Sequence, residues 1–242
     1  MVVVFSLLVY LNPSYSLSDD FFYPPASIVN GLTYDEWAIK YWEWQVSYLT
    51  SFQQEKCVIN NEHSVLFLAN AIYAYNLTTW NAPGIIKYEC TIPSDKPIYV
   101  HGMSEICKIG AAFPGTDEII KNYDELLKCV KVRNYAASID IKVDDRTITI
   151  PVDGKNYFTG EVTKKSEFSK TLEPFNITIP ENSVFIDQGV GTDNALLDTK
   201  SVILKPLPVG DHVIVIKVVQ LMPPQQKKDN LNLQLEYILH VK

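Results

Sequence analysis

Residues 33–50 read Thr-Tyr-Asp-Glu-Trp-Ala-Ile-Lys-Tyr-Trp-Glu-Trp-Gln-Val-Ser-Tyr-Leu-Thr and hold three of the four tryptophans of the chain. Thr33 and Glu36 have the spacing of a capping box, in which each side chain accepts a hydrogen bond from a backbone amide at the start of a helix. This spacing predicts a helix over residues 34–50. Four aromatic side chains follow at helical intervals and form one apolar stripe: Trp37, Tyr41, Trp44 and Tyr48. We expect this stripe to pack on the rest of the protein, with Trp37 and Trp44 mostly buried.

The chain after residue 57 consists mainly of short apolar runs separated by turn residues, a pattern typical of a β-sandwich. The predicted strands are 64–69, 71–75, 85–92, 97–101, 138–143, 146–150, 175–179, 183–186, 201–204, 212–221 and 231–241. A second amphipathic helix is predicted over residues 117–130, with Thr116 as its cap. The sequence therefore predicts a mainly β fold, an antiparallel, jelly-roll-like β-sandwich with two packed amphipathic helices.

Residues 2–11 form an apolar run that is too short to cross a bilayer core of ~30 Å but fits the apolar region of a signal peptide. Small residues at positions 14, 16 and 18 offer cleavage sites. We therefore predict a signal peptide over residues 1–18 and a single domain over residues 19–242. Because no basic residue precedes the apolar run, the segment is alternatively a retained anchor, or translation starts further upstream. No later run is long enough to be a transmembrane segment in the mature chain.

The four cysteines are best interpreted as disulfides, because oxidised pairs are usual in exported proteins. We predict the pairs Cys57 with Cys90 and Cys107 with Cys129, since sequential pairs close loops of moderate length. A zinc site is the alternative, but no two cysteines have the short spacing typical of zinc ligands. Two sequons, at Asn76 and Asn176, are further candidate modification sites of an exported glycoprotein.

The formal net charge of −7 argues against nucleic acid as a partner, because phosphate binding requires a basic surface. No cluster of lysine or arginine larger than two adjacent residues occurs in the sequence. We therefore expect a protein that does not bind DNA or RNA. The predicted signal peptide and disulfides indicate that it is secreted or associated with the cell envelope.

Candidate metal ligands are few and dispersed. His63 and His101 lie on or near predicted strands that could bring their rings together. Asp187 and Asp193 lie in a predicted flexible acidic loop whose oxygens suit calcium, although the spacing is not that of an EF-hand. Ordinary turn and surface roles for these residues are the simpler interpretation. No other cofactor is indicated.

The remaining candidate ligand site is aromatic. The fourteen tyrosines and four tryptophans exceed what a core of this size needs, and exposed rings stack on sugar faces or anchor protein partners. Tyr73, Tyr75 and Trp80 are the rings that we expect to contact a ligand. Carbohydrate or an envelope protein is therefore a possible partner. No Gly-x-Ser-x-Gly elbow is present, and every cysteine is better explained as paired than as reactive.

Four groups of residues, taken together, resemble a family of uncharacterised exported proteins from bacteria and archaea. They are Glu36-Trp37 with Trp42 and Trp44, the run 65–69, Cys90-Thr-Ile-Pro93 with Lys96, and the run Pro206-Leu-Pro-Val-Gly-Asp-His212. The resemblance spans residues 33–241, and it departs from the family pattern at Asp198-Thr199, where the family often has Asp-Gly. It implies this fold and export, and it carries over no catalytic residue.

Two functional hypotheses follow. The first is an exported, disulfide-stabilised β-sandwich that acts as a non-catalytic binding module or as part of the cell envelope. The second is an extracellular hydrolase or metal-dependent enzyme whose site is formed by His63, His101 and acidic loop residues. The sequence contains no catalytic motif that decides between them.

Overall fold

The structure is a computed structural model of the 242-residue chain. It describes residues 21–47, 59–60, 62–68, 85–113, 116–133, 137–150, 154–155, 162–163, 166–183, 185, 189–220 and 231–242. Several predictions therefore lie outside the described residues. They concern the signal peptide, the strand 71–75, Cys57, the ring set Tyr73, Tyr75 and Trp80, the sequon at Asn76, and Asp187.

The described chain is mainly β, with two helices, α1 (Tyr34–Val46) and α2 (Tyr123–Arg133). The strands are β1 (Ile28–Val29), β2 (Leu32–Thr33), β3 (Ile59–Asn60), β4 (Leu66–Leu68), β5 (Ile85–Ile92), β6 (Ile98–Lys108), β7 (Ala137–Val143), β8 (Arg146–Ile150), β9 (Gly154–Lys155), β10 (Val162–Thr163), β11 (Ser169–Thr171), β12 (Phe175–Ile179), β13 (Gly191–Leu204), β14 (Gly210–Gln220) and β15 (Leu231–Val241).

Two large sheets form the body of the protein. The six-stranded sheet has the order β11-β13-β6-β4-β3, with β12 also paired to β13, and the five-stranded sheet has the order β5-β15-β14-β7-β8. The prediction of a mainly β, sandwich-like fold is confirmed. The pairing departs from the antiparallel pattern at two places, because β15 pairs with β5, and β4 with β6, in parallel. Strand β5 pairs with the side of β15 that β14 leaves free.

The main core lies between the two sheets. Alternate residues of each strand point inward, as in β5, where every second side chain is buried. The inner face of the five-stranded sheet contributes Ile139, Ile141, Ile214 and Ile216, and the six-stranded sheet contributes Val100, Val202 and Leu204. The predicted alternation of the last strand is confirmed, with Leu235, Tyr237 and Leu239 buried.

Helix α1 packs on the outer face of the six-stranded sheet and forms a second core there. Its capping box is present as predicted: the Thr33 amide donates to Glu36 Oε2 at 2.7 Å, and the Glu36 amide donates to Thr33 Oγ1 at 3.3 Å. Trp37 is 2% exposed, as predicted, and Trp44 is half-buried against the same core. The protein therefore has three layers, which are the five-stranded sheet, the six-stranded sheet and α1.

The end of α1 differs from the prediction, because the helix stops at Val46 and not at residue 50. The Ser47 hydroxyl donates to the Trp44 carbonyl at 2.6 Å, and the Ser183 hydroxyl donates to the Val46 carbonyl at 2.7 Å. These bonds satisfy carbonyls that the next turn of a helix would otherwise use.

The start of α2 also differs, because this helix begins at Tyr123 and not at residue 117. The preceding residues form a small β-bridge instead, in which the Ile120 amide donates to Ala111 and the Gly110 amide donates to Ile120, both at 2.9 Å. Asn122 caps the helix, since its Oδ1 accepts from the Glu125 amide at 3.0 Å. The predicted cap was Thr116, and the bridge over the residues that follow it moves the start of the helix to Asn122.

The predicted acidic loop is strand from Gly191 onward, because β13 extends over 14 residues and pairs with β12 and β6. Asp193 consequently lies opposite Ile177 in a ladder. Among the described helices, none is long and apolar enough to cross a membrane.

A β-bulge at Gly102 in β6 shapes the surface beneath α1. Ser201 pairs with His101 and Lys200 pairs with Met103, so Gly102 is the extra residue. A Cβ atom at residue 102 would lie 2.9 Å from both Ile139 Cδ1 and the Lys200 carbonyl, so only glycine fits without displacing them.

Candidate functional site

The outer face of the five-stranded sheet, called the open face below, is the surface that the described helices leave uncovered. Of the two large sheets, the six-stranded one provides the main contacts of both helices. The open face carries charged and aliphatic side chains side by side. They are Lys87, Glu89, Asp211, Val213, Lys217, Val219, Glu236, Ile238 and His240.

Three strands are joined on the open face by a chain of charged groups centred on His240. Its Nδ1 lies 2.7 Å from Asp211 Oδ1, and its Nε2 lies 2.9 Å from Glu89 Oε1. An ionised carboxylate can only accept, so both ring nitrogens must carry hydrogen to make these two bonds. The hydrogen bonds to Asp211 and Glu89 accordingly raise the pKa of His240. The result is a hydrogen-bonded array of charged groups that spans β14, β15 and β5.

A shallow depression of about 270 Å³ lies beside this array and is lined by Lys87, Tyr88, Glu89 and Ile238. Lys87 Nζ lies 2.9 Å from Glu236 Oε1, while the Lys87 side chain remains 60% exposed. Because three of the four lining residues are the centre of β5, the depression lies at the edge of the sheet.

The structure places His101 in the second core and not at the surface. Its ring stacks on Tyr41 with centroids 4.9 Å apart, and its Nε2 lies 2.6 Å from the Ser104 hydroxyl, which donates onward to Thr199 at 2.9 Å. The bulge at Gly102 directs both His101 and Ser104 toward α1. Burial lowers the pKa of His101 to about 3, so the ring is neutral and a weak base at neutral pH. This geometry favours a structural role over general-base catalysis.

His63 contacts other members of the same aromatic core, with its ring centroid 5.3 Å from Phe67 and 6.3 Å from Trp37. His101 instead contacts Tyr41 and Trp42. Within the part of the chain that the structure describes, no three His, Cys, Asp or Glu side chains group as metal ligands would. Asp193 Oδ1 accepts from the Asn194 amide at 2.8 Å. The metal and calcium hypotheses remain predictions.

The disulfide between Cys107 and Cys129 is confirmed, with an S–S distance of 1.99 Å. It ties the end of β6 to α2. Cys90 is also disulfide-bonded, and its predicted partner Cys57 lies outside the described residues. Disulfides are typical of proteins in oxidising compartments.

The second sequon is placed where a modifying enzyme could reach it. Asn176 is exposed on β12, and Thr178 lies on the same side, with its hydroxyl 2.7 Å from that of Thr192. Glycosylation at Asn176 remains a prediction, since exposure is necessary for it and not sufficient.

His212 has the structural role expected of a histidine beside a turn. Its Nε2 lies 2.9 Å from the Pro208 carbonyl and its Nδ1 lies 2.8 Å from Asp144 Oδ2. Burial acts to raise the pKa of Asp144, but the hydrogen bonds from His212 and the Val213 amide outweigh it, and the pKa is lowered. These bonds fasten the β7–β8 turn to the start of β14.

Sequence reasoning did not identify the open-face array. The alternation of β15 places His240 on the wet face, which is the available signal. Its partner Glu89 lies 151 residues away in the chain, on a strand that pairs in parallel. Only the register of that pair brings the two side chains together.

Comparison with known proteins adds little to this geometry. No family model matches the chain, and no curated protein matches it. The chain is similar to a solved structure described as "Structure of PbICP-C in complex with falcipain-2", with 14% identity over 67% of this chain and 92% of that chain and a TM-score of 0.24. A likeness with so low a TM-score carries no argument about this protein.

Proposed function

We propose that this protein is an exported, non-catalytic binding module that holds a protein partner on the open face. The observation that carries the proposal is the array of Asp211, His240 and Glu89. Its charged groups are joined by mutual hydrogen bonds in the chain by itself. Groups that are fixed in advance lose little conformational entropy on binding, which favours recognition.

A protein fits the open face better than a sugar does. Exposed apolar side chains of this sheet include Val213 and Val219, which are 37% and 39% exposed, and Ile85 at the edge. Sugar faces stack on aromatic rings, whereas aliphatic side chains bordered by polar groups suit a protein interface, which has an apolar centre and a polar rim. The open face therefore supports a protein of the cell envelope as partner ahead of a carbohydrate.

Export is supported by two independent features. The Cys107–Cys129 disulfide is of a kind that persists in oxidising compartments. The apolar run 2–11 has the length of a signal-peptide core. Amino-terminal sequencing of the protein from culture medium or envelope fractions tests this part, and a first residue of 17 or 19 is the expected result. Recovery of the full chain from the cytosol alone would contradict it.

Photo-crosslinking from single positions tests the binding surface. A photo-reactive amino acid replaces Val213 or Val219 on the open face, and Glu43 on the exposed side of α1 serves as the matched control. We expect one discrete protein adduct from both open-face positions in cells that express the protein naturally, and none from position 43. Equal adducts from all three positions, or none from the open face, would overturn the proposal.

A further inference from the structure

We propose that two copies of this chain pair through β5, antiparallel and centred on Tyr88, so that their five-stranded sheets join into one continuous sheet. This inference concerns the edge of the five-stranded sheet. It shares Lys87 and Glu89 with the open face, but its test does not use the cross-linking positions Val213 and Val219. It follows from the position of β5, from the alternation of its side chains and from the order of its charges.

Strand β5 lies at the end of its sheet. In the described ranges it pairs with β15 on one side and with no strand on the other. It is eight residues long, and an edge of this length presents a row of backbone donors and acceptors to another strand. Such an edge is a template for strand addition.

The charges on the outer side of β5 are self-complementary. Lys87 and Glu89 point to the same side, two residues apart, and their side chains are 60% and 66% exposed. In an antiparallel pair centred on Tyr88, Lys87 of each copy lies opposite Glu89 of the other. Opposite charges that face each other across strands are stabilising, and like charges are destabilising.

The same charges exclude the neighbouring registers. A pair centred on residue 87 would place the two Lys87 side chains opposite each other, and a pair centred on residue 89 would do the same with the two Glu89 side chains. An antiparallel pair about a two-fold axis also closes, so that it gives a dimer and not a fibre. The order of charges therefore specifies one register and one stoichiometry.

The shape of the edge agrees with this register. The depression of about 270 Å³ is lined by Lys87, Tyr88 and Glu89 together with Ile238 of β15. It therefore adjoins the segment of β5 on which the proposed pair is centred. On the inner side, Tyr88 is already packed in the core, where it stacks on Tyr237 with ring centroids 5.2 Å apart.

Charge reversal tests the pairing with the full chain. Lys87→Glu gives two acidic residues on each edge, and Glu89→Lys gives two basic residues, so each variant opposes like charges in its own dimer. We expect a dimer for the wild-type protein in sedimentation experiments, and a dissociation constant weaker by about tenfold for each variant. Lys217→Glu, an equivalent charge change on β14 of the same face, should leave the dimer unchanged.

Mixing the two variants is the decisive step. The acidic edge of the Lys87→Glu variant complements the basic edge of the Glu89→Lys variant, so an equimolar mixture should regain dimer with wild-type affinity. Circular dichroism checks that both variants fold, which their exposed positions favour. A wild-type protein that stays monomeric, or a mixture that does not regain dimer, overturns the pairing. The cross-links from Val213 and Val219 would survive that failure, so the two proposals are tested separately.

Discussion

His101 and His240 show how position decides the chemistry of one residue type. His101 is enclosed by Tyr41 and Trp42 and is neutral, since burial lowers its pKa to about 3. His240 lies between two carboxylates, which raise its pKa. The pH dependence of folding stability should therefore change in opposite directions when each histidine is replaced.

Replacement of His101 by glutamine should reduce the sensitivity of the fold to acid. The pKa of His101 is about 3 in the folded protein and near 6.5 when exposed, so the unfolded chain binds the extra proton as the pH falls. Stability present above pH ~6.5 is thus lost progressively down to about pH 3, by on the order of a few kcal/mol. Urea unfolding of wild type and His101→Gln across this range measures it. If the free energies of unfolding of the wild type and the variant change with pH in parallel, the pKa of His101 is not lowered in the folded protein.

Replacement of His240 by glutamine should have the opposite signature. The pKa of His240 is raised in the folded protein. The stabilisation that its ring contributes is therefore fully present below pH ~6.5, the pKa of the ring in the unfolded chain. This stabilisation is lost as the pH rises through the pKa of the ring in the folded protein. His240→Gln should therefore be less stable than wild type in mild acid and equal to it in alkali. An NMR titration of the ring gives the pKa directly, and a value below that of a free imidazole would contradict the array.

At the scale of elements, the capping box of Thr33 and Glu36 sets the residue at which α1 begins. Thr33→Ala removes the hydroxyl that accepts from the Glu36 amide, and it should lower the free energy of unfolding by about 1 kcal/mol. Thr33→Ser keeps the acceptor and serves as the control. Denaturant unfolding of both variants measures the difference, and equal stabilities would mean that the packed tryptophans alone hold the helix.

Elements with local signals were predictable, and elements set by distant partners were not. The start of α1 follows from Thr33 and Glu36, and the β7–β8 hairpin follows from two alternating runs around a turn. The start of α2 depends on a bridge between Ala112 and Ile119, which competes with the cap at Thr116. The length of β13 depends on its pairing with β12, whose partner residues lie in a separate run. No local sequence pattern indicates the bridge that shifts the start of α2 or the pairing that sets the length of β13.

At the scale of the whole molecule, the Cys107–Cys129 disulfide joins the six-stranded sheet to α2 across a separation of 22 residues. Replacement of both cysteines by serine should lower the free energy of unfolding by about 3 kcal/mol, because the unfolded chain gains freedom. Thermal unfolding with and without reductant measures this effect. If the double variant and the wild type unfold identically in the absence of reductant, the bond does not form in the protein.

The candidate site, like the fold, depends on residues that are far apart in the sequence, so it could be predicted only in part. The sequence suggested His63 and His101 as a pair of metal ligands, and this stays a prediction. The structure places the ring of His63 against Phe67 and that of His101 against Tyr41. The array on the open face combines Glu89, Asp211 and His240 from three strands, and no spacing in the sequence relates them. The aromatic stripe of α1 was predictable as core because its helical period is local.

The central claim is that the open face is the binding surface, and amide hydrogen exchange measures it most directly. The purified protein is compared alone and with the partner that cross-links to position 213. We expect slower exchange on binding in β14 and β15, around Asp211 and His240, with α1 unchanged. Protection confined to α1 or to the segment between Cys107 and Cys129 would contradict it.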